Sequence, residues 1–237
     1  MKKVLFSLWL AVVAAPAAHA QGGGLSSKEY ASGEDGTSSR NSGFGIKGGY
    51  NLSDLKGSGA SVFPNSRALN GFHGGVYGQF GFNNFASMQV ELLYIRKGFA
   101  TGQTTVTTGG TTTTYAARDN RFDYLELPIL FVGNITETLS FHLGPQVSLL
   151  TKVKSGTEDL DLNDNGYNSL DYGAAAGVEA RLGPARLGVR YGLGLGKIYE
   201  DGAVVKYNNT ALFANGITDR DIRNQTFQVY LGIGFRR

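Results

Sequence analysis

From residue 43 to the end of the chain, apolar and polar residues alternate with period two. That is the repeat of a strand with one face buried and one exposed. Eight such segments follow one another. The first, 43–53, puts Phe44, Ile46, Tyr50 and Leu52 on one face, and the second, 69–82, does the same with Phe72, Val76, Phe80 and Phe82. The third runs from 85 to about 101 and the fourth from about 119 to 133. The fifth, 138–154, aligns Leu139, Phe141, Leu143, Val147 and Leu149, and the sixth, 169–182, aligns Tyr172, Ala174, Ala176, Val178 and Leu182. The seventh, 185–199, carries Leu187, Val189, Tyr191, Leu193 and Leu195. The eighth, 226–237, carries Phe227, Val229, Leu231, Ile233 and Phe235. No segment shows a convincing helical period.

The opposite faces combine glycine with charges of both signs. They include His73, Tyr77, Gln79, Gln89, His142, Lys152 and Asp171, and they could not form a dry core. A soluble eight-stranded barrel needs the reverse, an apolar lumen inside a polar wall. The connections also segregate. Gaps after the second, fourth and sixth segments are short, at 83–84, about 134–137 and 183–184, while the other gaps run to roughly a dozen residues or more. Both features predict an all-β fold, an eight-stranded antiparallel transmembrane β-barrel with short periplasmic turns and long extracellular loops. Lipid then meets the apolar stripe. A lumen only just wide enough for side chains is filled by a polar network of Lys47, Glu91, Lys97, Glu126, Gln146, Glu179, Arg181, Arg186 and Arg190. Glu179 is expected beside Arg186 and Arg190, across the 183–184 turn.

The run FDYLELPILFVG, 122–133, sharpens this reading. Leu125, Leu127, Ile129 and Phe131 face lipid, while Glu126 and Pro128 face the lumen. The charge finds cationic company there, but the proline still lacks an N–H, so a gap or bulge is expected beside it.

Residues 1–20, MKKVLFSLWLAVVAAPAAHA, read as a secretory signal peptide. Lys2 and Lys3 precede an apolar stretch too short for an anchor, and AHA forms the cleavage site. Residues 21–42 are Gly/Ser-rich and polar, a flexible linker, and 43–237 form the barrel domain. Cysteine is absent, which excludes thiolate chemistry and disulfides. The formal net charge of +3 falls to about +1 once Lys2 and Lys3 leave, and no basic stripe points to nucleic acid. A mean hydropathy of −0.15 reflects the averaging of two faces rather than solubility.

Candidate chemistry is sparse. Asp161, Asn163 and Asn165 before Gly166 match the opening of a calcium loop. Tyr172 stands where the bidentate glutamate belongs, so a solvated acidic turn is the favoured reading and no metal is assigned. No catalytic residue and no cofactor is expected. His73 and His142 fall toward opposite ends of their strands, and mixed cations around Glu91 and Glu126 favour ion pairing over acid–base work. The threonine-rich run 104–115 predicts a strand extension turning at Gly109–Gly110.

GIKGGYNLS, GFHGGVYGQFGF, QVELLYIRKG, DYLELPILFVG, FHLGPQVSLL and DYGAAAGVEARLG, in this order, resemble the PorT-like outer-membrane β-barrel family across about 43–237. The YLE-hydrophobic-P and ELLYxxKG runs are its specific parts. The resemblance implies an eight-stranded membrane barrel; it does not imply an activity. One departure is the Phe-Arg-Arg end, which leaves the barrel-assembly machinery to recognise Phe235 and the stripe before it. The expectation is a monomeric integral outer-membrane protein with a structural or interaction role, accessory to a surface or secretion assembly. Its partners would be outer-membrane lipid and a protein reached through the long loops or the periplasmic rim. The alternative is a narrow pore or a loop-borne ligand receptor.

Overall fold

The computed structural model describes residues 41–63, 65–108, 111–160, 166–200, 206–207, 210–211 and 221–235. Strict alternation gives strands wherever it occurs. Eight are long: β1 (Gly43–Lys56), β2 (Arg67–Gly81), β3 (Ala86–Thr101), β6 (Arg118–Asn134), β7 (Leu139–Ser155), β9 (Leu170–Leu182), β10 (Ala185–Gly194) and β13 (Arg223–Phe235). Five are short and lie in the long connections: β4 (Thr104–Thr108), β5 (Thr111–Tyr115), β8 (Glu158–Leu160), β11 (Lys206–Tyr207) and β12 (Thr210–Ala211). A single 3-10 turn, Ser58–Val62, follows β1. No helix among the described residues is long and apolar enough to cross a membrane; the crossing is made by strands.

The eight long strands pair antiparallel with their sequence neighbours, and β13 returns to pair with β1, so the sheet closes. Paired residues lead from Phe80 through Met88, Phe131, Leu143, Ala176, Tyr191, Phe227 and Leu52 back to β2 at Asn70, ten residues from the start. An even displacement is what alternation demands, because an odd one would join an inward row to an outward row. A displacement this large also tilts the strands, to about 35–45° from the barrel axis.

The outer wall is apolar. Leu125, Leu127, Ile129 and Phe131 are each about two-fifths exposed, while Glu126 between them is fully buried. The same alternation holds on every long strand. A soluble protein does not tolerate so continuous an apolar surface; in lipid it is required. Phe44, Phe80, Phe82, Phe85, Phe131 and Phe235 crowd the short-turn rim, with Phe44 and Phe235 5.6 Å apart across the β1–β13 seam. Tyr50, Tyr94, Tyr172, Tyr191, Phe72 and Phe227 form a second belt toward the long-loop end. Tyrosine suits a boundary where one end of the ring is wet.

Side chains build the short turns. Asn83 Oδ1 accepts from Phe85 N at 2.9 Å and Ala86 N at 2.7 Å, and Thr136 Oγ1 accepts from Leu139 N at 2.9 Å. Gly183 takes φ 63° in the third turn, where a side chain would be strained. Asn41, at the end of the stretch read as linker, donates to the carbonyls of Asn83 and Asn84.

The two prolines of the barrel wall sit at interruptions. Pairing of β3 with β6 passes from Val90–Ile129 to Leu93–Glu126 in unchanged register, and inward-facing Pro128 lies in the skipped stretch. On β7 the skipped stretch contains outward-facing Pro145. These are gaps rather than bulges. The bulge comes later: Asp123 pairs with Lys152 but Tyr124 with Leu150. The extra residue, Thr151, shifts the phase of the strand. Lys152 therefore does not face the lumen as the alternation implied; it points outward, while Leu150 and Val153 point in.

Candidate functional site

The lumen gathers charged side chains away from water, and it is layered along its length. Nearest the short turns, Glu179 on β9 accepts from Arg186 Nη1 at 3.2 Å, Arg181 Nε at 3.4 Å and Tyr230 Oη at 3.0 Å. Arg186 also donates to Gln79 at 2.8 Å and stacks its guanidinium on Tyr77. The next layer centres on Glu91. Arg190 reaches it from the opposite wall with both terminal nitrogens at 2.7 Å, and Lys47 Nζ adds a third contact at 2.7 Å. Lys47 lies over the ring of Tyr230, 4.4 Å from its centroid. Glu179 lies opposite Gly188, between Arg186 and Arg190, as expected across the 183–184 turn; of the two, Arg186 pairs with it, while Arg190 spans the lumen to Glu91 on β3.

His73 and His142 are not separated as their strand positions suggested. Their rings lie 6.4 and 6.3 Å from that of Tyr230, brought there by the tilt of the strands. His142 Nε2 accepts from Arg190 Nε at 3.2 Å, which fixes it as a neutral imidazole.

Above this lies Lys97, paired with Glu126 Oε2 at 2.5 Å, with Ser148 Oγ donating to the same oxygen at 2.9 Å. Gln146 lies between the two charged layers, buried, its Oε1 unpartnered. The nine residues expected to form a polar network all face the lumen. They divide into the Glu179–Arg181–Arg186 group, the Lys47–Glu91–Arg190 group, the Lys97–Glu126 pair and Gln146.

The long-loop end of the lumen departs from expectation. In place of polar filling it holds a dry apolar cluster of Leu55, Phe63, Ile95, Phe99, Phe122, Tyr124, Leu150, Val153, Tyr167, Ile198, Tyr199 and Ile222. Five rings close on themselves: Phe63–Phe99 at 4.7 Å, Phe99–Phe122 at 6.1 Å, Phe122–Tyr167 at 5.8 Å, Tyr167–Tyr199 at 5.2 Å and Tyr199–Phe63 at 6.4 Å. Phe99 and Phe122 come from β3 and β6; the other three come from three different long connections. Burial here pushes the Tyr167 phenol up to about 12, since a dry surrounding penalises the phenolate. The inner faces of the strands carry apolar side chains around and beyond Lys97, a signal present in Ile95, Phe99, Phe122 and Leu150.

Beyond the cap, β4 and β5 form a separate two-stranded hairpin, with Thr104 opposite Tyr115 and Thr108 opposite Thr111. The strand extension expected from the threonine run is thus present, while Gly109 and Gly110, where the turn was expected, lie outside the described residues. Asp161, Asn163 and Asn165 lie outside the described residues, as do residues 1–40 with the signal peptide and most of the linker. Among the described residues no group of three or more His, Asp or Glu is arranged to hold a metal.

The outer membrane protein beta-barrel domain matches residues 20–200. The chain belongs to that family. Its members' outer-membrane setting accounts for the lipid-suited wall. Among solved structures, the chain is similar to Ail, the attachment invasion locus protein of Yersinia pestis, in complex with the heparin analogue sucrose octasulfate (18% identity, 82% of this chain and 99% of that one, TM-score 0.41). It is also similar to Neisserial surface protein A (14%, 81% and 97%, 0.48) and to OprG of Pseudomonas aeruginosa (14%, 84% and 99%, 0.42). No curated protein matches.

Proposed function

We propose that this family member is a non-conducting barrel with a structural or interaction role, accessory to a surface or secretion assembly. The observation that supports this most is the ring of five aromatics across the long-loop mouth, above a lumen already crossed by Arg190 and Lys47. Solvated ions cannot pass a dry apolar cap without dismantling it. Under this reading the short turns face the periplasm and the long loops face outside. A signal peptide at 1–20 carries the chain across the inner membrane, and the barrel acts as a monomer without catalysis. The ion pairing of Glu91, Glu126 and Glu179 supports the last point. The YLELP and ELLYIRKG runs support membership of the PorT-like branch.

A loop-borne receptor is the second reading, favoured by the β4–β5 hairpin. It forms a two-stranded sheet separate from that of the barrel, and strand edges are where a partner's strand adds to a sheet. The reconstituted protein in planar bilayers should show no steady conductance, and crosslinking in intact cells should recover a reproducible protein partner. Discrete single-channel steps from unmodified protein would replace this reading with the pore.

A further inference from the structure

Two arginines share one carboxylate at the short-turn end of the lumen. Glu179 takes both Arg181 and Arg186, and the layer behind it sets Lys47 and Arg190 on Glu91. Farther in, Lys97 stands with Glu126 and Asp171. The first two layers each carry one positive charge in excess, and the third carries one negative. Among the described residues below the aromatic cap, one positive charge is therefore left, and the excess lies toward the short turns.

Arg186 has donors to spare there. Its hydrogen bonds to Gln79, Gln89 and Glu179 all come from Nη1. Nε and Nη2 meet no acceptor among the described residues. These two nitrogens share the edge of the guanidinium that receives a carboxylate or phosphate side-on. Beside them is Tyr77, 2% exposed, whose hydroxyl is buried without a hydrogen-bond partner. Two glycines bring these groups together. Gly45 on β1 pairs with Tyr77 on one side and with Gly234 of β13 on the other. A Cβ on Gly45 would stand 2.5 Å from Tyr77 Oη, so the ring lies over that glycine. A Cβ on Gly234 would stand 2.9 Å from Tyr77 Oη, 3.4 Å from Arg186 Nε and 3.6 Å from Arg186 Nη2. The three atoms nearest that one spot are all donors.

We propose that this recess binds one oxyanion group, of the kind a carboxylate or a phosphate carries. The Nε–Nη2 edge of Arg186 holds two of its oxygens, and the Tyr77 hydroxyl donates to one of them. Gly234 leaves the room for it, and the excess positive charge offsets the cost of taking an anion out of water. The aromatic cap closes the opposite end of the lumen, so the ligand enters by the short-turn mouth, where the Arg186 side chain is 14% exposed.

The test is thermal unfolding of the full barrel in a nonionic detergent at fixed ionic strength, with sodium acetate or sodium phosphate replacing sodium chloride. Chloride has no pair of oxygens for the guanidinium edge and sets the background. The midpoint should rise at millimolar acetate or phosphate and then climb only logarithmically, as for any ligand of the folded state alone. The anion with the lower dissociation constant shows which group the recess takes. Tyr77→Phe removes a hydroxyl that has no partner in the barrel alone, so a purely structural role predicts no change in anion dependence. It should instead raise the dissociation constant about tenfold, the loss of one hydrogen bond to a charged group. Gly234→Ala should abolish the rise. Its Cβ meets side chains before any backbone, so the barrel should still close. Should that variant fail to fold, Tyr77→Phe decides alone. Equal midpoints in all three salts would overturn the proposal. So would a strictly linear rise, which is the general salt effect, or a dissociation constant unmoved by Tyr77→Phe. None of these results bears on whether the barrel conducts, which the bilayer experiment decides separately.

Discussion

Arg190 on β10 grips Glu91 on β3 across the full width of the lumen, with both terminal nitrogens 2.7 Å from the two carboxylate oxygens. Lys47 joins the same carboxylate from β1. The three strands are held by one buried charge. Glu91→Gln removes that charge and leaves two buried cations facing each other. The variant should lose about 3–5 kcal/mol, the usual cost of breaking a buried pair, measured by urea unfolding in lipid vesicles. Replacing all three residues with apolar ones of similar volume should recover most of it, because the desolvation cost disappears with the charges. A loss below about 1 kcal/mol for Glu91→Gln would show that water reaches the cluster.

The aromatic cap holds three long connections to the barrel through Phe63, Tyr167 and Tyr199. Phe99 is the inward strand residue that touches both Phe63 and Phe122. Phe99→Ala should therefore cost about 3–5 kcal/mol and also free the loops. Limited proteolysis of the folded barrel should show faster cleavage between β1 and β2. If the cap is what blocks the lumen, the same variant should show conductance events that the unmodified protein lacks.

The barrel was legible because a period of two is written directly in the sequence and because short and long gaps alternate. Which residues face the lumen was legible for the same reason. Who meets whom inside was not. Glu179 and Arg190 are neighbours on paired strands, yet Arg190 finds its carboxylate on the opposite wall. The tilt that makes this possible comes from the ten-residue displacement around the ring, and no single strand carries that information. The cap was missed for a different reason. Phe63, Tyr167 and Tyr199 stand in loops without periodicity, and only closure brings them over Phe99 and Phe122. Lys152 was misplaced by a single bulged residue, which reverses every assignment after it.

Gly49 marks the tightest approach of the β1–β13 seam among the contacts that close the barrel. A Cβ there would lie 2.0 Å from Val229 O and 2.6 Å from Tyr230 Cα, both backbone atoms that cannot turn aside. Gly49→Ala should push the seam apart at a cost of about 1–3 kcal/mol. Because β1 and β13 are the first and last strands of the barrel, the damage falls on closure. The measurement is the fraction of refolded protein that keeps the faster mobility of unheated samples on a gel. Gly74→Ala, whose nearest neighbour lies at 3.7 Å, is the control and should refold normally.

Beyond the membrane, β8 is held to β7 by charge. Asp159 lies 2.9 Å from Lys152 Nζ and 3.0 Å from Lys154 Nζ, and Asp159 is opposite Lys154 in the pairing that seats Leu160 next to Val153. The two ammonium groups hold the Asp159 carboxyl below its ordinary 3.8, and Asp159 in turn raises Lys152 above 10.5. The sign follows from each direction. A depressed carboxylate contributes above its unfolded value and loses that contribution as pH falls through its lower folded value. A raised lysine contributes below its unfolded value and loses it as pH climbs through the higher folded one. The β7–β8 contact should therefore be best protected between about pH 4 and pH 10. Hydrogen exchange at the Leu160 amide, referenced to an unpaired amide to remove the intrinsic pH dependence, should show opening on both sides of that window. Because these side chains are open to water, the effect is small and screened. Raising salt to 1 M should weaken it, and Asp159→Asn should flatten the profile.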